Sequence, residues 1–244
     1  MFISELGKVS AQKAGLTKVD HLLVGADTEN FYPADKDEYK KVREDLGISD
    51  EFVVITVADN QERKNLWAEF VILSKLKERG HKVKFILVTR EHSPVGHKLR
   101  DLALDYNLNK EFTIIERGIT KQQLRNLYIA SDVYLSTSKA EGLGIPILEA
   151  MACGIPVVAT DTGALTELLL DTRGFLVEPE YEFRDVWGNS IRSLIDIDAA
   201  IEVLENVKEI KTVTQEYALE YVQGRTFDIP VRQMKEKIEE VLNG

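Results

Sequence analysis

A single cysteine, Cys153, stands in 244 residues, so no internal disulfide is available and a cytoplasmic location is the simplest expectation. No apolar run reaches the roughly 20 residues that a membrane-spanning helix needs. The opening "MFISELGKVSAQKAG" lacks the basic-then-apolar shape of a secretion signal. Positive charge is scarce: 31 lysines and arginines stand against 41 aspartates and glutamates, a net charge of −10. A surface of that sign repels nucleic acid and anionic lipid, so neither is expected as a partner. Any anion that binds must be held by a few aimed groups. Repeats, low-complexity linkers and a Walker-type phosphate loop are missing too. The four histidines, His21, His81, His92 and His97, show no metal-ligand or triad spacing, and no metal or cofactor is expected.

What the chain does have is strand–helix alternation. Six short β-branched runs recur: "FVVITV" from Phe52, "VKFILV" from Val83, "FTIIE" from Phe112, "DVYLST" from Asp132, "PVVAT" from Pro156 and "GFLVE" from Gly174. Segments of helical spacing separate most of them, such as "LWAEFVILSKLKE", "GHKLRDLALDYN" and "KQQLRNLYIAS". Strands apolar throughout are buried on both faces, and alternation implies parallel pairing through right-handed crossovers. The pattern predicts an α/β fold, a doubly wound parallel sheet of Rossmann-like type.

The ends are less regular. Residues 2–14 read as a helix, "KVDHLLVG" as a strand and "DTENFYPADKDEY" as a loop. Beyond Glu180 the alternation stops, and "YEFRDVWGNS" reads as an irregular insertion. "DAAIEVLENV" predicts a helix capped by Asp198; "TVTQEYALEYVQG" and "IPVRQMKEKIEEVLNG" predict two more. With no internal boundary, residues 1–244 are expected to form one domain.

The densest signal is "SKAEGLGIPILEAMACGIPVVATDTGALTELL", Ser138 to Leu169. Ligands of open α/β sheets sit outside the carboxyl ends of strands, so "SKAEGLG" is the loop at the binding edge. Pro146 suits the first turn of the following helix, and Gly154 with Pro156 ends it. The helix N-terminus then points free N–H groups and a positive dipole end at the edge. Gly142 and Gly144 remove side chains that would hold a ligand off the backbone. Glu141 lies just before this positive end and Glu149 about one turn inside the helix. Carboxylates bind hydroxyl pairs, because an ionised carboxylate only accepts. An anion flanked by two hydroxyl-rich groups describes a nucleoside diphosphate sugar.

Simpler readings compete at each position. Glu141 fits a solvated turn, and Glu149 fits a helix glutamate balancing the dipole. Lys64 fits a surface lysine, although a helix start is the unfavourable end for a cation. "GLGIPI" half-matches a dinucleotide fingerprint, but Ile147 replaces the third glycine and the motif follows the fourth strand. The Asp196–Asp198 "DID" suits a helix cap rather than a metal pair, and Cys153 suits a buried apolar position.

The motif Glu-x7-Glu within "EGLGIPILEAMACGIPVVAT" resembles the signature of the family 4 retaining glycosyltransferases of GT-B fold, in their C-terminal donor-binding domain. "DHLLVGADTENFYP" resembles the interdomain crossover of that family, and "RGITKQQLRNLYIASDVYLSTSKAEG" its next segment; the similarity spans residues 2–178. The resemblance implies hexosyl transfer from a nucleotide-diphosphate sugar to a glycan or lipid-linked acceptor. Glu149 would hold the ribose hydroxyls, and Glu141 would be the catalytic carboxylate facing the sugar. The amides of Gly142, Leu143, Gly144 and Ile145 would meet sugar and phosphates. Lys64, in "DNQERKN", matches the phosphate lysine of the family; the usual preceding arginine is replaced at Ala58 or Asp59, with Arg63 as a substitute. The family's acceptor pocket lies on an N-terminal domain whose last helix residues 1–16 resemble, while residues 180–244 add an insertion and helices. Three expectations follow: an enzyme half completed by a separate acceptor-domain polypeptide, a nucleotide-sugar-binding module without transfer activity, or a piece of a longer enzyme.

Overall fold

The computed structural model describes residues 1–22, 24–186 and 189–243. Its centre is a parallel sheet of six strands: β1 (Phe52–Val57), β2 (Val83–Thr89), β3 (Phe112–Glu116), β4 (Val133–Ser136), β5 (Val157–Thr160) and β6 (Phe175–Val177). Each coincides with an apolar run that the sequence marks as a strand, β2 running one residue beyond its run to Thr89. Successive side chains point to opposite faces, and both faces are covered. Val53, Ile55 and Tyr134 pack with one buried cluster, Val54, Phe85 and Leu135 with another. Each fully buried Ile, Leu or Phe contributes about 1.5–3 kcal/mol, which is what the continuous apolar runs supply.

The covering helices are α1 (Glu5–Lys13), α2 (Lys36–Asp45), α3 (Leu66–Glu78), α4 (Leu99–Asp105), α5 (Lys121–Ile129), α6 (Ile145–Ala152), α7 (Ala164–Leu169), α8 (Ile197–Gln223) and α9 (Asp228–Asn243). Residues Leu127, Tyr128, Leu148 and Met151 of α5 and α6 belong to the first cluster. Residues Phe70, Leu73, Ala200 and Leu204 of α3 and α8 belong to the second. Strand order is β3-β2-β1-β4-β5-β6. The chain therefore runs outward from β1 through β2 to β3, then returns to the other side of β1 with β4. The adjacent carboxyl ends of β1 and β4 flank the topological switch point, where doubly wound sheets open a crevice.

Five local expectations need correction. "KVDHLLVG" makes no strand among its described residues: a single bridge joins Phe2 to His21, and Leu23 lies outside the described residues. The loop "DTENFYPADKDEY" is cut short because the Asp35 carboxylate accepts from the amides of Asp37 (3.0 Å) and Glu38 (2.8 Å) and starts α2. "YEFRDVWGNS" belongs to an antiparallel hairpin of β7 (Pro179–Arg184) and β8 (Ile191–Ile195), with Trp187 and Gly188 outside the described residues. Glu180, Glu182 and Arg184 alternate with Tyr181 and Phe183 along β7, which is the period of a strand with one face in water. The cap of α8 is Asp196, which accepts from the Ala199 amide at 2.9 Å, while Asp198 pairs with Lys75 at 2.8 Å. The two helices expected between Asp198 and Gly224 are one continuous helix of 27 residues.

Candidate functional site

Two loops meet at the crevice. Residues 58–65 leave β1, make a short 3-10 turn (Glu62–Lys64) and enter α3 through Asn65, whose φ is 53°. Residues 137–144 leave β4 and enter α6 through Gly144, whose φ of 94° suits glycine. Hydrogen bonds join the loops. The Lys139 amide donates to the Arg63 carbonyl (2.8 Å), and Arg63 Nη1 donates to the Ala140 carbonyl (3.0 Å). Thr137 Oγ1 lies 3.0 Å from the Asn65 carbonyl.

Glu141 stands at the centre of this junction. Its Oε2 accepts from Lys64 Nζ in a short contact and from Arg63 Nη1 at 3.2 Å. The Lys64 and Glu141 side chains are 13% and 12% exposed, so solvent screens the pair only weakly. The Glu141 carbonyl accepts from the Ala164 amide at 3.0 Å. Gly163 makes that approach possible: its φ is 60°, and a Cβ there would lie 2.6 Å from the Glu141 carbonyl oxygen. Gly142 faces open space, since a Cβ added to it would meet nothing within 4 Å. Leu143 and Gly144 are buried and Ile145 is exposed at the first turn of α6. In the first turn of α6 Pro146 has no N–H and the Ile147 amide donates to the Gly144 carbonyl at 3.0 Å, which leaves the Ile145 amide without an intrahelical acceptor.

Glu149 sits on α6, where the Tyr128 hydroxyl donates to its Oε2 over 2.9 Å. Burial pushes the Glu149 carboxyl up to about 7, opposed by the Tyr128 hydrogen bond and by Lys121, while Asp27 pushes it further up. Tyr134, whose hydroxyl donates to the Val57 carbonyl at 3.1 Å, is held well above the usual tyrosine range by burial, then by Glu69, Glu141 and Glu149.

The structure thus brings Arg63, Lys64 and Glu141 into one cluster and places Glu149 on the helix that follows it. Several neighbours are absent from the sequence reading. Tyr128 is buried on α5, and a tyrosine on an apolar helix face signals a hydroxyl in need of a partner. Glu69, a lone carboxyl within "LWAEFVILS", is buried beneath both loops with Oε1 3.2 Å from Thr137 Oγ1. Burial pushes it up to about 8, so it is protonated at neutral pH. Asp59 holds two arginines, Arg90 and Arg117, beside the same edge.

The chain is similar in sequence and in fold to known proteins. The chain is 32% identical over 160 residues to a GDP-mannose-dependent alpha-(1-6)-phosphatidylinositol monomannoside mannosyltransferase of Mycolicibacterium smegmatis, covering 63% of this chain and 41% of that one. It is 30% identical over 194 residues to a D-inositol 3-phosphate glycosyltransferase of Mycobacteroides abscessus, covering 77% of this chain and 41% of that one. The chain thus spans about two fifths of the length of these relatives. Its fold is that of Anabaena Alr3699/HepE, solved with UDP-glucose, at a TM-score of 0.80 with 21% identity over 98% of this chain and 63% of that one. A C-terminal domain of a glycosyl transferase group 1 family protein (LpcC) from Francisella tularensis is covered over 97% of its length by 82% of this chain, at a TM-score of 0.65 and 20% identity. Residues 38–211, which span the whole site, match the family described as glycosyl transferases group 1, and the chain belongs to that family.

Proposed function

We propose that this chain is the donor-binding half of a family 4 retaining glycosyltransferase of GT-B architecture. It takes a hexosyl group from a nucleotide-diphosphate sugar and passes it to a glycan or lipid-linked acceptor. The observation that carries this reading is the cluster at the switch point: Glu141 joined to Lys64 and Arg63 in front of the open end of α6, with Glu149 on that helix. A diphosphate arriving at the helix mouth competes with Glu141 for the two cations. Glu141 is then released to accept from hydroxyls of the donor sugar. Glu149, ionised above about pH 7, accepts the two hydroxyls of the ribose. Negative charge grows on the diphosphate as the glycosidic bond breaks, and Lys64, Arg63, the Ile145 amide and the positive end of the α6 dipole stabilise it.

In this reading residues 1–244 form one nucleotide-sugar-binding domain, with residues 1–16 as the end of an acceptor domain and residues 180–244 as additions. The acceptor wall comes from a preceding domain, in the same polypeptide or a separate one. The exposed apolar residues Val231, Met234, Ile238 and Val241 of α9 give that partner a surface. No metal takes part, and the single cysteine favours a cytoplasmic setting. Among the described residues no helix is long and apolar enough to cross a membrane. A second reading is a sugar-nucleotide-binding module without transfer of its own. Calorimetric titration with UDP-, GDP- and ADP-sugars tests the donor site: one series binds the parent chain, and binding by none overturns the proposal. Transfer assays with and without an N-terminal domain of a relative then separate the two readings.

A further inference from the structure

The family resemblance expects an arginine near Ala58 or Asp59, and the structure has a carboxylate there that is already occupied. Asp59 follows β1 by two residues and is 17% exposed. Its two oxygens take Arg90 in a fork: Nε donates to Oδ1 at 2.7 Å and Nη2 to Oδ2 at 2.6 Å. Arg117 Nη1 donates to Oδ1 at 3.4 Å, and Gln61 Nε2 to Oδ2 at 2.8 Å. Arg90 is the residue after β2 and Arg117 the residue after β3. Three consecutive strand ends therefore converge on one carboxylate, at the same edge as Lys64.

The charges at this edge are unusual for so acidic a chain. Arg63, Lys64, Arg90 and Arg117 stand against Asp59 and Glu141 in the paired clusters. Of the neighbouring acids, Glu91 is forked by Arg100 (2.6 and 2.9 Å), Glu62 contacts Lys139, and Glu116 accepts from the Glu91 amide at 3.0 Å. The Arg90 head is 47% exposed and that of Arg117 60% exposed, while the carboxylate that orients them is covered. A fork fixes the guanidinium plane, and Arg90 Nη1 is not part of it.

We propose that Arg90, held in orientation by Asp59, is a diphosphate-binding residue of the donor site, so that the guanidinium absent from the β1 end is delivered from the β2 end. This assignment rests on the donor-site reading above. Asp59 is then a positioning residue, and the carboxylate in the place of an arginine no longer opposes anion binding, because it carries two cations. Arg117 adds a second, more loosely held positive charge.

The test is calorimetry with UDP, GDP and ADP and their monophosphates, on the parent chain and on Arg90→Ala, Arg90→Lys and Arg100→Ala. For whichever diphosphate binds the parent, Arg90→Ala should lose about ten- to a hundredfold in affinity, the range of a charge-assisted hydrogen bond, with a smaller loss for the monophosphate. Arg90→Lys keeps the charge without the fork and should fall between. Salt dependence should weaken in Arg90→Ala, since one screened attraction is gone. Arg100→Ala, which breaks an exposed ion pair on the same edge, should bind as the parent does. Equal diphosphate affinity in Arg90→Ala and the parent would overturn the role of Arg90 while leaving the donor site standing. A parent chain that binds none of the three diphosphates would sink both readings. Thermal melting of each variant shows whether a loss of binding reflects a loss of fold.

Discussion

The Tyr128 hydroxyl donates to Glu149 Oε2 across 2.9 Å, from α5 to α6, and lies 3.2 Å from the Pro146 carbonyl in the first turn of the same helix. One buried phenol therefore orients the carboxylate and braces the helix mouth together. Tyr128→Phe should weaken nucleoside diphosphate binding severalfold, by loss of a hydrogen bond worth about 0.5–1.5 kcal/mol. Binding near pH 7 should also become more sensitive to pH, because the Tyr128 bond favours the ionised carboxylate against its burial. Calorimetry between pH 6 and 8 checks this; identical profiles for variant and parent would count against it.

Glu149→Ala removes the acceptor itself. Affinity for the free nucleoside diphosphate and for the sugar nucleotide should fall together, by about ten- to a hundredfold. In the parent, affinity should rise with pH through about 7 as the carboxyl ionises. An unchanged calorimetric affinity for the nucleotide would mean that the ribose is held elsewhere.

Glu141→Gln separates the sugar from the nucleotide. The variant frees Lys64 and Arg63 from their carboxylate partner. Diphosphate affinity should hold or improve while affinity for the sugar nucleotide drops. Lys64→Ala should reduce both affinities and flatten their salt dependence. Equal losses for both ligands in Glu141→Gln would misplace the sugar.

Much of this was legible in the sequence, for identifiable reasons. β1 and α3 fall within the bounds of "FVVITV" and "LWAEFVILSKLKE", because an apolar run and an apolar helix each carry their period locally. The hairpin of β7 and β8 pairs locally, but what anchors it was hidden: the Ser193 amide donates to the Lys139 carbonyl (2.9 Å), and Ser193 Oγ lies 2.9 Å from Thr162 Oγ1. Glu141 and Glu149 were legible through spacing around a helix start. The ion pair between Glu141 and Lys64 was not, since nothing local relates positions 77 residues apart. Arg90 escaped notice for the same reason: its meaning lies in Asp59, on another strand end.

Glu69 predicts a pH effect on stability. Its folded-state carboxyl is raised from 4.5 to about 8, so between these values the folded chain holds a proton that the unfolded chain has lost. Stability from this group is therefore fully present below about pH 4.5 and declines as pH rises to about 8, by an amount on the order of a few kcal/mol. Glu69→Gln, neutral at every pH, should flatten the fall of Tm between pH 5 and 8. A variant whose Tm falls as steeply as the parent's would show that another group titrates.

Gly163→Ala should be costly despite its size. The new methyl would lie 2.6 Å from the Glu141 carbonyl oxygen, at a φ of 60° that alanine rarely adopts. The expected outcome is a lower Tm together with weaker sugar-nucleotide binding, because relief of the clash moves the loop that bears Glu141. Parent-like binding in a fully folded variant would show that this loop tolerates displacement.

The return of β4 to the inner side of the sheet also sets the order in which the molecule can become competent. Lys64 is made early along the chain and Glu141 much later, and Asp132 reaches back to Val53 only when β4 has docked, its Oδ2 accepting from the Val53 amide at 2.9 Å. Three strand-to-strand connections lie between these two residues, so the contact is a slow and non-local event compared with the helices. Ligand capture is therefore a clock for the completed sheet: during refolding, helical circular dichroism should recover first, and nucleotide binding should appear only with the final docking step.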